Sequence, residues 1–341
     1  MVYVRRMVRR CGSTDLVVWT DAAATTLVRQ IIDALDGSMR PIGLGGPGSQ
    51  RVSELAKALD CPCHDDFRKL AVDRPAPFVL VSAARGVNAR HAAVALDRGA
   101  TIFALEPLFH GFDALATLAA PTRGTHATGG RVTTPGTFLR CPGWHFAADP
   151  TQVLKTPRFI QFTNVGPRCH RSLFARFYEA WQVVLRLGQL PHSVDASLTG
   201  PVASLPAYLD AITGHMAAHA RMENGTSSVV VASDCVGRPA RTLTLTGDEA
   251  HLVVTDVDYE LSDAEGNRLD HHRGDEAVAD FAALVARDLL QWAERDRPAT
   301  VVEPAAELVL ACCQASLLSA RTGQVESPAT ILSMQHRSSP A

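Results

Sequence analysis

Glu106 is the side chain of this sequence best placed to do chemistry. It follows the apolar run Ile102 to Leu105 and precedes Pro107, which puts a carboxylate at the end of a strand. Such a group can act as a general base when burial raises its pKa. It cannot offer positive charge to a developing alkoxide. Two other residues could move protons: Tyr178, beside Glu179 in a helical run, and His170, beside Cys169. His215 and His219 have ligand spacing for a helix, but their segment reads as a strand. Residues four apart on a strand share a face and stand too far apart for one zinc ion. Cys61-Pro62-Cys63-His64, Cys169-His170 and His271-His272 are isolated from any second ligand pair, so no metal site is expected.

Two segments could face a phosphate. A dinucleotide pyrophosphate is held by backbone N–H groups at a helix N-terminus, and glycines allow its close approach. The first loop, Thr20-Asp21-Ala22-Ala23-Ala24-Thr25, has no glycine, and Asp21 brings negative charge. The second, Gly43-Leu44-Gly45-Gly46-Pro47-Gly48, matches GxGxxG between a strand and a helix. The strand and helix from Leu16 to Leu35 precede it, however, which places it at the end of the second strand. An acid normally holds the ribose 2′-hydroxyl there; glycine replaces it, while Ser49 and Arg51 could receive a 2′-phosphate and favour NADP over NAD. The candidate dinucleotide contacts are therefore Thr20, Asp21, Ala22, Gly45, Ser49, Arg51, Ser82, Asn88, Glu106 and Pro107.

The elements that must position these groups are legible from periodicity. Phe78 to Val81 and Ile102 to Leu105 are short apolar strands, joined by a helix from about Val87 to Asp97 that stops at Gly99. This βαβ unit implies a parallel sheet with a ligand crevice at its carboxyl end. Upstream come a strand at Leu16 to Trp19, a helix carrying Leu27, Ile31 and Leu35, a strand at Pro41 to Leu44 and a helix from Arg51 to Leu59. A connector at Cys61 to His64 and a turn at Asp66 to Leu70 lead to the Phe78 strand. The alternation predicts a Rossmann-type doubly wound α/β domain over residues 1–120.

Residues 121–341 read as an α+β domain on a large, open, mostly antiparallel sheet. Pro157 to Asn164 is extended, Ser172 to Gly188 helical with Phe174, Phe177, Trp181 and Leu185 on one face, and Ser193 to Leu198 extended again. Asn224-Gly225 and Glu265-Gly266-Asn267 mark hairpins. Two helices, Asp275 to Arg295 and Glu303 to Arg321, close the chain, the latter expected to pack back on the first domain. Pro121 to Gly136, rich in Gly, Thr and Pro, is the expected flexible loop.

Composition narrows the partners. The 341 residues carry a formal charge of −2, and the basic cluster Arg5, Arg6, Arg9 and Arg10 is too short to dominate the field, so nucleic acid is not expected. No apolar run approaches membrane-spanning length, and the N-terminus has no apolar leader core, so a cytoplasmic location without membrane contact is expected. The eight scattered cysteines are read as reduced thiols.

The order of elements resembles the glucose-fructose oxidoreductase / inositol dehydrogenase / MocA (Gfo/Idh/MocA) family over nearly the whole chain. Three passages carry the likeness: Arg90 to Gly99 running into Leu105-Glu106-Pro107; Ser193 to Ala196 with Ala220 to Gly225; and Ser319-Ala320-Arg321-Thr322-Gly323. They are similar to the family's helix and E-K-P strand end, its strand and hairpin, and its S-A-R-T-G helix end. The resemblance implies NAD(P)-dependent oxidation of a sugar, polyol or related hydroxy compound by a homodimer or higher oligomer joined through the open sheet. Val229 to Val231, Leu243, Leu245, Leu252 and Val254 are the apolar candidates for that face.

The same resemblance implies that the reaction is altered. Glu106 stands where the family has its lysine, or a one-residue shift deletes that lysine, and neither alignment supplies an amine; the helix Phe174 to Trp181 offers aromatic residues where members carry an Asp-x-x-x-His pair. A silent or divergent protein is expected. The alternative is an active oxidoreductase in which Glu106, Tyr178 or His170 replaces the usual acid and base.

Overall fold

The structure, a computed structural model, describes residues 13–83, 85–119, 131–147, 150–152, 154, 157–200, 205–275, 280–293 and 304–338. Arg5 to Arg10 and most of the Pro121 to Gly136 loop lie outside them. The first domain runs β1 (Thr14–Trp19), α1 (Thr25–Ala34), β2 (Met39–Gly45), α2 (Gln50–Ala58), β3 (Cys63–His64), α3 (Phe67–Asp73), β4 (Phe78–Val81), α4 (Ala89–Leu96), β5 (Thr101–Ala104), α5 (Phe112–Ala119) and β6 (Arg131–Thr133). Its six strands are parallel in the order β3-β2-β1-β4-β5-β6. Apolar residues on both faces of the central strands make this possible. Leu16, Val18 and Leu80 join one core and Val17, Trp19, Val79 and Val81 another, so both faces need helical cover. The order reverses between β1 and β4, which opens a crevice outside their carboxyl ends.

The second domain contains α6 (Pro142–Ala147), β7 (Phe159–Pro167), α7 (Leu173–Leu187), β8 (Ser193–Thr199), β9 (His215–Arg221), β10 (Ser227–Ser233), β11 (Cys235–Thr246), β12 (Ala250–Thr255), β13 (Tyr259–Asp263), β14 (Arg268–His272), α8 (Phe281–Ala293), α9 (Ala306–Thr322) and α10 (Pro328–Ser338). Its eight strands lie in the order β14-β13-β12-β11-β7-β10-β9-β8, with β7 and β10 parallel and the other neighbours antiparallel. Along β7 every second residue is buried, the alternation of a sheet with one covered face. Gly225 (φ +85°) and Gly266 (φ +86°) supply the left-handed backbone at the two predicted hairpin turns.

Several elements differ from the sequence reading for local reasons. Asp66 accepts hydrogen bonds from the Arg68 and Lys69 amides, and this N-cap extends the expected turn into α3. Cys63–His64, read as connector, adds a short strand beside Leu44 and Gly45. The closing helices start later than expected, at Phe281 and Ala306, and α10 follows them. Helix α8 packs on the first domain, where Ala282, Val285 and Leu289 join the core of α1 and β1. Helix α9 lies mainly in the second core and also meets α5.

The residues expected to form an apolar outer sheet face are divided. Val230, Leu243, Leu245, Leu252 and Val254 are buried core, because strand periodicity turns them to the face that the helices of this domain cover. Val229 and Val231 are half-buried and share the outward face with Gln161, Thr163, Thr242 and Thr244.

Candidate functional site

The carboxyl ends of β1, β2 and β4 enclose a crevice of about 510 Å³ lined by Asp21, Ala22, Ala23, Pro47, Gly48, Ser49 and Arg85. Three of the predicted cofactor contacts, Asp21, Ala22 and Ser49, therefore meet there. Asp21 points at its own backbone: Oδ1 accepts the Ala23 amide at 2.9 Å and the Ala24 amide at 3.0 Å. The Ala24 amide belongs to the N-cap residue of α1, which has no side-chain acceptor of its own, and the Ala23 amide to the turn before it. A carboxylate thus sits on N–H groups where the chain enters a helix, beside the positive end at which an external anion is otherwise held.

Other predicted contacts lie behind the crevice. Ser82 Oγ donates to Thr20 Oγ1 at 2.8 Å, and both residues are buried, tying the ends of β4 and β1 together. Two adjacent glycines of the Gly43 to Gly48 segment, Gly45 and Gly46, serve packing, whereas Gly48 has open space around it. A Cβ at Gly45 would lie 2.8 Å from the Trp19 ring, and one at Gly46 would lie 2.0 Å from the Thr20 carbonyl. Trp19 is fully buried and donates its indole N–H to the Arg85 carbonyl at 2.9 Å. Gly46→Ala therefore forces backbone apart, with an expected loss of about 1–3 kcal/mol in urea unfolding. Asn88 caps α4 by accepting the His91 amide at 3.0 Å. Arg51 is exposed in the first turn of α2.

Glu106 faces the second domain. Its Oε1 accepts the Ser172 amide at 2.8 Å and its Oε2 accepts the Ser172 hydroxyl proton, while Ser172 Oγ accepts the Ala175 amide at 3.1 Å. Ser172 is the N-cap of α7 and Ala175 its third helical residue. In a capping box a Glu at that third position reaches back to the N-cap amide. Here alanine occupies it, and Glu106 completes the motif from just beyond the end of β5. Burial pushes the Glu106 pKa up, against the Ser172 hydrogen bonds and the Arg171 and Arg176 charges. Glutamine keeps one oxygen for the Ser172 amide but sets an NH2 against the hydroxyl that donates to Oε2, so Glu106→Gln is expected to lose about 1 kcal/mol or less. Glu106→Ala should lose about 1–2 kcal/mol; paired urea titrations check both.

The residues named as acid and base are not brought together. Tyr178 is buried and packs edge-on to Phe109 (5.6 Å between ring centres) and Phe174 (6.1 Å). His170 is exposed in the turn before α7; partial shielding and the Arg176 charge hold its pKa below the usual value. Glu179, one residue beyond Tyr178, takes no solvent contact. Its carboxylate accepts from Thr137 Oγ1, the Phe138 amide, Asn164 Nδ2, Arg171 Nη1 (2.6 Å) and Arg241 Nη1 (3.0 Å). Burial alone would raise its pKa, but the two guanidinium groups and the amide donors outweigh it and hold the pKa at about 2.

This cluster joins β7, α7 and β11 and was missed from sequence, although one signal pointed to it. Arg176, Glu179 and Gln182 recur every three residues beside the aromatic stripe of α7, and a helix buried all round must pair its charges. Asn164 Oδ1 in turn accepts from Arg176 Nη1 at 3.2 Å, and burial together with the Arg171 charge lowers the Arg176 pKa to about 10. Among the described residues no group of three or more His, Cys, Asp or Glu is placed to hold a metal ion.

No protein-family model and no curated protein matches the chain. Solved structures do. Levoglucosan dehydrogenase, in complex with NADH and L-sorbose, superposes with a TM-score of 0.71 at 12% identity, covering 92% of this chain and 98% of that one. UDP-N-acetylglucosamine 3-dehydrogenase GnnA from Acidithiobacillus ferrooxidans gives 0.67 at 16% identity, over 91% and 98%. An oxidoreductase from Agrobacterium radiobacter, in complex with NAD+, L-tartaric acid and magnesium, gives 0.69 at 12% identity, over 94% and 100%. The chain thus has the two-domain fold of the Gfo/Idh/MocA-type oxidoreductases, at an identity that marks wide divergence. Fold alone does not fix chemistry.

Proposed function

We propose that this protein keeps the oxidoreductase fold as a binding or regulatory module and no longer performs hydride transfer. The observation that carries the reading is the Asp21 carboxylate on the Ala23 and Ala24 amides. A pyrophosphate would have to displace an internal anion from those donors and then lie beside its charge, so the loop does not fit a dinucleotide. Glu106 supports the same view, since both of its oxygens are engaged in holding α7 to β5. Incubating the protein with NAD+ or NADP+ and a panel of sugars, polyols and hydroxy acids should give no nicotinamide reduction. Turnover of any of them at an ordinary enzymatic rate, about 1 per second or faster, overturns the reading.

A second reading rests on the crevice itself, which is open and bordered by Ser49 and Arg85. It makes the chain an active NAD(P)-dependent oxidoreductase on a sugar or polyol, with Ser49 and Arg51 favouring NADP and Glu106, Tyr178 or His170 serving as acid and base. On that reading Glu106→Gln abolishes activity while preserving the fold.

Self-association through the outward face of the large sheet accompanies either reading. Val229, Val231, Thr163, Thr242 and Thr244 give that face an uncharged centre. Sedimentation equilibrium should return a dimer, and Val231→Glu a monomer.

A further inference from the structure

We propose that the crevice at the carboxyl ends of β1, β2 and β4 takes a small zwitterion of the amino-acid type, with one ammonium and one carboxylate, where a dinucleotide would otherwise lie. The proposal rests on the reading of this protein as a binding module and names the ligand class of that module. The crevice holds about 510 Å³, and the charged side chains of its described lining are one carboxylate, Asp21, and one guanidinium, Arg85. The lining is therefore neutral as a whole. A polyanion is repelled by Asp21 and a simple cation by Arg85, whereas a guest with one charge of each sign meets a partner for both.

The polarity of the crevice is the reverse of a dinucleotide site. There the amides after the first strand donate to the pyrophosphate, and an acid at the end of the second strand accepts from the ribose. Here the acceptor follows the first strand. Asp21 Oδ1 is taken up by the Ala23 and Ala24 amides, and among the described residues its Oδ2 has no partner. The donors follow the second and fourth strands. Ser49 is the N-cap residue of α2 but makes no side-chain capping bond, and among the described residues the Arg85 guanidinium makes no ion pair. Arg85 is held through its backbone, because the buried Trp19 indole donates to its carbonyl at 2.9 Å. The next residue, Gly86 (φ +83°), lies on the same ring: a Cβ there would stand 3.1 Å from Trp19 and 3.4 Å from Pro47. That close approach brings Arg85 to the Pro47 wall. The rest of the lining, Ala22, Ala23, Pro47 and Gly48, is small and leaves room for a guest.

The test titrates the full chain with L-norvaline and its isomer 5-aminovalerate, which carry the two charges on one carbon or at opposite ends. Valerate, pentylamine, sorbitol and NADH are run beside them, all followed by saturation-transfer NMR and the thermal transition. At least one isomer should bind with a dissociation constant of about 1 mM or tighter, as expected of a ligand of its size. Valerate, pentylamine and sorbitol should bind about tenfold more weakly, because each lacks at least one charge-assisted bond. Arg85→Gln should weaken the zwitterion about tenfold and leave pentylamine no weaker; Asp21→Asn should weaken it about as much and leave valerate no weaker. Neither side chain is buried, so both variants should fold. A control that binds as tightly as the better isomer, or unchanged zwitterion affinity in either variant, overturns the proposal. Saturation by NADH in the low micromolar range overturns the binding-module reading and the proposal with it. Absence of binding by NADH and by both isomers overturns the proposal alone.

Discussion

Replacing Glu179 by alanine lowers the stability of the fold by about 3–5 kcal/mol, the range expected when one partner is removed from a buried ion pair. Arg171 and Arg241 are then left in the interior without their shared carboxylate, and Thr137 Oγ1, the Phe138 amide and Asn164 Nδ2 lose their acceptor. Urea unfolding at neutral pH measures the loss. The wild-type acid response has a defined sign. The folded-state pKa of Glu179, about 2, lies below the ordinary value of 4.5, so its stabilisation is fully present above pH 4.5 and disappears as the pH falls towards 2. That component amounts to about 3 kcal/mol. Glu106 works in the opposite direction: with a raised pKa, its contribution is present below the ordinary range and fades as pH rises through the shifted value. Glu179→Gln should remove that component of the acid sensitivity, leaving the smaller one of Asp66, Asp248, Asp263 and Asp270, whereas Glu106→Gln should leave both in place.

Replacing Asp21 by glycine should create or strengthen dinucleotide binding at least tenfold. The substitution frees the Ala23 and Ala24 amides at the start of α1 and removes a negative charge from the crevice. A carboxylate near two phosphates costs more than a kcal/mol even at a surface dielectric, and about 1.4 kcal/mol is a factor of ten in affinity. Asp21→Asn should give a smaller gain, since its side-chain oxygen can still accept the same amides while the charge is gone. NADH fluorescence separates the two variants.

The fold was legible because its signals are local. Apolar runs at Phe78 to Val81 and Ile102 to Leu105 announce buried parallel strands, and Asn224-Gly225 announces a hairpin whatever the rest of the chain does. The position of Gly43 to Gly48 at the end of β2 was legible from element order, but its role was not. A motif match cannot say that Gly45 exists to admit the Trp19 ring. Helical periodicity in Phe281–Ala293 shows that one face is apolar and leaves open which of two domains receives it.

The site was harder because its bonds are long-range. Glu106 and Ser172 are 66 residues apart, and the donors to Glu179 come from Thr137, Asn164, Arg171 and Arg241. No spacing rule links them. Asp21 was recognised as an obstacle by charge alone. Its bonds to the amides two and three residues on follow a turn pattern common for aspartate, a signal that the sequence did contain.

The central claim is that an internal carboxylate holds the amides on which a dinucleotide depends. Titration of the wild-type protein with NADH and with NADPH, read by nicotinamide fluorescence, tests it most directly. The account predicts no saturation below about 1 mM for either; a dissociation constant in the low micromolar range, about 3 kcal/mol or more tighter, contradicts it.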